Sequence, residues 1–253
     1  MTIDKASVLN IEKLTRNIYL LSAYSPNISK TITPGQFCNI KVSESNFPLL
    51  RRPFSICDVS DDKIFFMFDI HGEGTKIMSQ KKKDDILDVL GPLGNGFSIE
   101  ENVDSVVILA GGLGMAPFPY LIRKYQSEKN IFSFIGGRNK DYVSSYGMIN
   151  YQFATDDGSL GFKGTVLELF ENEIKNLPTT NFQILACGPT PMLKAVKLYC
   201  EKNNFNCQIS TESAMACGFG ICQGCPIEKA NDNDSYFLVC KDGPVFNIKD
   251  IKL

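Results

Sequence analysis

Histidine is almost missing from this chain: His71 is the only one in 253 residues. It stands in a glycine-rich turn, His71-Gly72-Glu73-Gly74, where it suits ligand contact through backbone or ring better than general-base chemistry. Charge of one sign is equally scarce. Lys and Arg total 26, Asp and Glu 28, and a net charge of −2 offers no field to draw in nucleic acid or an anionic membrane. Long apolar runs are absent. No uncharged stretch approaches the roughly 20 residues of a membrane span. Residues 1–13 lack the apolar core of a secretory leader. Together these absences predict a protein of the reducing cytoplasm that binds neither nucleic acid nor membrane.

What the chain does have is cysteine, and four of its nine cysteines are gathered near the C-terminus. They read Cys217-Gly218-Phe219-Gly220-Ile221-Cys222-Gln223-Gly224-Cys225, followed after fourteen residues by Cys240. The spacing C-x4-C-x2-C…C can hold an iron–sulfur cluster, and its first three members match the plant-type 2Fe–2S pattern. The interleaved glycines let backbone wrap closely around a cluster. A four-thiolate zinc site and a disulfide pair remain alternatives on spacing alone. Too little chain remains for a complete ferredoxin domain, so the motif reads as an appendage on a larger body. Cys38, Cys57, Cys187, Cys200 and Cys207 lie apart in mostly apolar surroundings and read as small buried hydrophobes.

The first hundred residues carry short β-branched and aromatic runs, such as 36–42, 53–57 and 63–70, broken by Pro, Gly, Asn and Asp. These predict a small antiparallel barrel or sandwich, interrupted by one helix over 75–82. Arg52-Pro53-Phe54-Ser55 places a cation, planar groups and a hydroxyl on one strand, suited to a phosphate and a ring system. Gly74-Thr75 at a helix start offers backbone amides to an anion. Each short motif also has an ordinary reading, as a surface arginine or a common helix start.

After the Gly/Pro-rich junction Gly91-Pro92-Leu93-Gly94-Asn95-Gly96-Phe97 the pattern changes. Strands at 103–110, 131–135, 151–155 and 182–187 alternate with helices ending near 128 and spanning 165–174 and 191–202, which predicts a parallel α/β sheet. Ligands bind such sheets at the carboxyl ends of the strands. There stand Gly111-Gly112-Leu113-Gly114, Gly136-Gly137-Arg138, Thr155-Asp156-Asp157-Gly158 and Cys187-Gly188-Pro189. The first departs from G-x-G-x-x-G, and no clear acidic residue ends the following strand. A tight strand-to-helix turn is the alternative reading.

In their order, these motifs resemble the ferredoxin reductase-type flavoproteins across the whole chain. The run from Met215 to Cys225, with Cys240-x-Asp242-Gly243-Pro244-Val245-Phe246, is similar to that of the electron-transfer subunits of dihydroorotate dehydrogenase B. The resemblance implies a multi-domain β plus α/β fold. An antiparallel FAD-binding β-barrel would span 1–100, a parallel α/β NAD-binding domain 101–208, and a small 2Fe–2S domain 209–253. It implies electron transfer from a partner, an FMN-containing dihydroorotate dehydrogenase catalytic subunit, through 2Fe–2S and FAD to NAD+, in a heterotetramer of two of each chain serving pyrimidine biosynthesis. The same architecture serves as the flavin and iron–sulfur subunit of hydrogenase or transhydrogenase-type complexes, which is the alternative. By resemblance Arg52, Pro53, Phe54, Ser55, Asp69, Ile70, His71, Gly74 and Thr75 contact FAD. Gly111, Gly112, Gly114, Cys187, Gly188 and Pro189 line the nicotinamide nucleotide site, and Cys217, Cys222, Cys225 and Cys240 ligate the cluster. Phe54 departs from the smaller residue or tyrosine common at its position, which leaves its flavin contact open. Glu212 is open between a structural cap and a polar contact beside the flavin.

Overall fold

A computed structural model describes residues 1–45, 47–232 and 234–253. Seven strands build the first layer: β1 (Thr2–Lys13), β2 (Ile18–Tyr24), β3 (Phe37–Lys41), β4 (Arg52–Ser55), β5 (Asp58–Ser60), β6 (Lys63–Asp69) and β7 (Ile86–Leu93). Their order is β4-β3-β7-β1-β2-β6-β5, and every pairing is antiparallel. The sheet curls into a half-barrel around Val8, Leu21, Ile40, Phe66 and Leu87. Strand periodicity sorts β6 between two cores: Ile64, Phe66 and Phe68 point inward, while Phe65 and Met67 face the second layer. Two short helices, α1 (Pro26–Ser29) and α2 (Glu73–Ser79), close its ends.

The second layer is the predicted α/β sheet. It holds β8 (Ser105–Gly111), β9 (Asn130–Gly137), β10 (Tyr151–Thr155), β11 (Phe162–Lys163), β12 (Phe182–Cys187) and β13 (Cys207–Ser210), with helices α3 (Phe118–Tyr125), α4 (Val166–Glu173) and α5 (Thr190–Lys202). The parallel order β11-β10-β9-β8-β12-β13 reverses direction between β8 and β12. Every residue of β8 and of β12 is buried, the signature of strands covered on both faces. Helix α4 starts on a reciprocal cap: Thr165 Oγ1 accepts from the Glu168 amide (3.2 Å) and Glu168 Oε2 from the Thr165 amide (2.7 Å).

The C-terminal segment forms the hairpin β14 (Pro226–Glu228)–β15 (Tyr236–Leu238) and then β16 (Val245–Asn247), which joins the α/β sheet antiparallel to β13. The Gly/Pro junction clasps it. Asn95 N donates to Gly243 O (2.6 Å), and Asn95 Nδ2 to Lys241 O and Asp242 O (3.2 and 2.9 Å). The five scattered cysteines are all buried. Among the described residues no helix is long and apolar enough to cross a membrane.

One ion pair locks the two layers. Arg123 of α3 donates to Asp58 of β5, whose side chain is 3 % exposed. Beside it the Tyr120 amide donates to Cys57 O (2.8 Å). Burial raises the Asp58 carboxyl above its ordinary pKa, while the Val59 amide and Arg123 oppose that shift. Breaking a buried pair costs about 3–5 kcal/mol; Arg123 is half-exposed, and solvent screening reduces this to about 1–2 kcal/mol. Arg123→Ala is expected to lower the urea midpoint accordingly, and an unchanged midpoint would remove this pair as the lock.

Candidate redox site

The carboxyl ends of β8, β9, β10 and β12 open onto a cleft of about 790 Å³ between the two layers. From the half-barrel come Arg16, Tyr19, Asp69, Ile70 and His71; from the α/β layer come Gly111, Gly112, Arg138, Asp156, Pro189 and Met192. The β1–β2 hairpin reaches across, where Thr15 Oγ1 donates to Asp141 O (2.7 Å). The segment Asp69–His71 and the two glycine loops therefore face one space. Gly114 lies beneath it, and a Cβ there would stand 2.2 Å from Cys187 O, so the loops after β8 and β12 meet backbone to backbone. This is the switch point of the sheet, where open α/β folds bind nucleotides.

On the half-barrel, Arg52 lies across the start of α2: a Cβ on Gly74 would stand 3.1 Å from Arg52 Nε. Thr75 Oγ1 accepts from the amides of His71 (2.9 Å) and Gly72 (3.2 Å), so its hydroxyl shapes the turn. Pro53 is exposed and Ser55 half-buried. Phe54 is 7 % exposed and packs on Phe66 and Phe68 at 6.0 and 5.9 Å, which commits its ring to the barrel core. A cation over a glycine-opened turn, beside an exposed Pro53 and a hydroxyl, fits a flavin nucleotide.

Between the layers three groups gather. Burial pushes the Cys187 thiol up to about 12, with Glu212 adding to the rise and the Ser210 hydroxyl opposing it. Glu212 is reached by water yet walled by protein on several sides, the situation of a group in a concavity. That burial raises its carboxyl, and Asp69 raises it further. Glu212 thus feels the charge of Asp69 at the end of β6 and acts in turn on Cys187 at the end of β12.

The cysteine loop packs directly on β3. Asn39 Nδ2 donates to Cys217 O (3.2 Å), and Gly218 (φ +83°) leaves no room for a side chain, since a Cβ would stand 2.2 Å from Asn39 Nδ2. Asn39 pairs with Pro53, so the loop lies one strand from the Arg52–Ser55 segment. Among the described residues, no three ligand-type side chains converge on a single point able to hold one ion. The sulfurs stand instead as two pairs. Cys222 N donates to Cys217 Sγ (3.5 Å) and Cys240 N to Cys225 Sγ (3.4 Å). A two-iron cluster divides its cysteines between the irons, two to each. Burial acts to raise the Cys217 thiol, but the amides of Cys222, Phe219 and Ile221 outweigh it and bring it down to about 6. Cys240 is pushed up to about 12, by burial first and then by Cys225. Amides aimed at sulfur suit thiolates that carry a cluster.

Residues 212–252 match the model of the iron–sulfur cluster binding domain of dihydroorotate dehydrogenase B. A relative from Caldanaerobacter subterraneus subsp. tengcongensis, named dihydroorotate dehydrogenase B (NAD(+)), electron transfer subunit, is 38% identical over 244 residues, 96% of this chain and 95% of that one. The chain belongs to this family. The electron transfer subunit of Bacillus pumilus is 35% identical over 257 residues, 98% of this chain and 97% of that one. Among solved structures, the NADH-dependent reduced ferredoxin-NADP oxidoreductase superposes with a TM-score of 0.85 and 27% identity, covering 98% of this chain and 90% of that one. A ferredoxin NADP+ reductase from Neisseria gonorrhoeae shares the fold at a TM-score of 0.68 and 15% identity, over 80% of this chain and 92% of that one.

The structure also shows which strand end the first acid of the Thr155–Gly158 loop adjoins. No acidic residue ends β9, but the Asp156 amide donates to Gly137 O (3.1 Å), which sets Asp156 beside Arg138 at the cleft. An acid there can accept from a ribose hydroxyl and oppose a 2′-phosphate. Strand adjacency sets it there, because Asp156 directly follows β10, the parallel neighbour of β9. The Arg52 geometry yields a direct test. Arg52→Ala is expected to weaken FAD retention about tenfold or more, the worth of a charged hydrogen bond, read as the flavin-to-protein ratio after gel filtration; wild-type flavin content would reject that role.

Proposed function

We propose that this chain takes electrons from an FMN-containing dihydroorotate dehydrogenase catalytic subunit and delivers them to NAD+, as the electron transfer half of dihydroorotate dehydrogenase B in pyrimidine biosynthesis. The observation that carries this reading is the cysteine loop seated on β3, one strand from the Arg52–Ser55 segment and open to solvent at Cys222. FAD, when bound, exchanges a hydride with nicotinamide and single electrons with a 2Fe–2S centre, which joins a two-electron acceptor to a one-electron carrier.

The chain's own residues divide the work. Arg52 and the turn at Gly74 and Thr75 hold the flavin's phosphates, and Pro53, Ser55 and the Asp69–His71 segment border its ring. Gly111, Gly112, Gly114 and Cys187–Pro189 bring backbone close to the nicotinamide nucleotide, and Asp156 takes its ribose. Glu212, with its raised pKa, keeps a proton on its carboxyl to higher pH than an ordinary glutamate, between Asp69 and Cys187. Cys217 with Cys222, and Cys225 with Cys240, hold the cluster, with their amides oriented at sulfur. The work falls on residues 1–100, 101–208 and 209–253 in turn. Five buried free thiols suit a reducing cytoplasm, and two copies of each subunit make up the working assembly.

Cys222→Ala is expected to abolish the 2Fe–2S absorbance and dihydroorotate-dependent NAD+ reduction by the complex, while NADH-to-ferricyanide activity stays within about twofold of wild type. Loss of bound FAD together with the cluster would contradict separable flavin and cluster sites. A colourless wild-type protein carrying one zinc would contradict the function itself.

A further inference from the structure

The β3–β4 loop and the cysteine loop share one rim of the half-barrel. Register fixes this, with Ile40 opposite Arg52 and Asn39 opposite Pro53. The Cys217 carbonyl rests on Asn39, two residues, or roughly 7 Å, before β3 ends at Lys41. On the loop's return Arg51 is fastened to the same place. Its Nη1 donates to Asn39 O (3.3 Å) and Asp88 O (2.8 Å), and its Nη2 to Asp88 Oδ1 (2.6 Å). Leu50 therefore precedes a residue tied to Asn39, the seat of the cysteine loop.

Both loops turn apolar side chains to water. Leu49 is 77 % exposed and Phe47 69 %, with Leu50 exposed beside them; on the cysteine loop Ile221 is 75 % exposed and Phe219 also reaches solvent. Local hydrogen bonds hold the β3–β4 turn in this attitude. Ser45 N donates to Ser43 Oγ (3.1 Å), Phe47 N to Ser45 Oγ (3.3 Å), and Ser45 Oγ to Phe47 O (2.7 Å). Ion pairs border the apolar residues: Lys41 with Glu44, and Asp88 with Lys5 and Arg51. An apolar centre with a charged rim is the anatomy of a protein interface.

We propose that Phe47, Leu49 and Leu50 of the β3–β4 loop form, with Phe219 and Ile221, one docking face for the FMN-carrying catalytic subunit. This rests on the relay reading above, which also selects the occupant. The subunit that exchanges electrons with the cysteine loop has to approach its open edge, and the β3–β4 loop leaves and returns beside Asn39, the residue on which that loop sits. The loop thereby sets which partner seats on the cluster without touching either cofactor.

The test uses the full-length, cofactor-loaded chain and its catalytic subunit, with affinity read by interferometry and cofactor content by absorbance. Leu49→Asp and Phe47→Asp are each expected to raise Kd by about tenfold or more, with wild-type flavin and cluster spectra. Leu198→Asp, exposed on α5 of the other layer, is expected to bind as wild type. Leu49→Ser, which adds no charge, keeps the test decisive if an Asp variant loses cofactor, and it is expected to weaken binding in the same direction. Wild-type Kd in the Leu49 and Phe47 variants would overturn this docking face and leave the relay intact, as would equal weakening by Leu198→Asp. A wild-type chain that does not bind the catalytic subunit would overturn the relay and the docking face together.

Discussion

The seat of the cysteine loop on β3 is the contact on which the rest depends. Gly218 brings that loop against Asn39 with no side chain between them, and Asn39 is spent on the contact: Nδ2 serves Cys217, while Oδ1 finds no partner among the described residues. A buried amide oxygen left unpaired costs stability, so the position answers to something other than fold energy. It holds the cysteine loop one strand from the Arg52–Ser55 segment. Any side chain at position 218 would push the loop off the barrel and open that gap.

The remaining architecture keeps the parts in register around this contact. Asp58 and Arg123 fix α3 to the half-barrel, and Asn95 fastens the junction to the Lys241–Gly243 turn. With β16 added to the α/β sheet, the C-terminal segment touches both layers and is not a tethered bead. Consequently the cleft, the Arg52–Ser55 segment and the cysteine pairs belong to one framework. Electron transfer is steep in distance and tolerates little play between its stations, which a framework of this kind supplies.

Much of this was legible in the residues. The apolar runs of β8 and β12, buried on both faces, could be read directly, as could the cysteine spacing and the helices after each glycine loop. What escaped had physical reasons. Strand β1 buries only Ala6 and Val8 fully and carries Asp4, Lys5, Glu12 and Lys13, which hid a twelve-residue strand at the centre of the first sheet. Strand β13 and the edge strand β16 are four and three residues long, too short for a period. Phe54 looked like a ring for the flavin but faces the barrel interior, since strand alternation gives Pro53 and Ser55 the outer face. Asp156 lies in a loop legible in the sequence, but its place beside Arg138 comes from the pairing of β10 with β9, and the groups acting on Glu212, Asp69 and Cys187, are far away in sequence.

The central claim is that the flavin site and the cysteine pairs communicate within this one chain. Anaerobic titration of the purified, loaded protein with NADH, followed by electron paramagnetic resonance, tests it most directly. The account predicts that NADH develops the signal of a reduced 2Fe–2S cluster in protein that retains FAD, and none in protein stripped of FAD. A cluster that stays oxidised in FAD-replete protein, or one that NADH reduces without FAD, would contradict it.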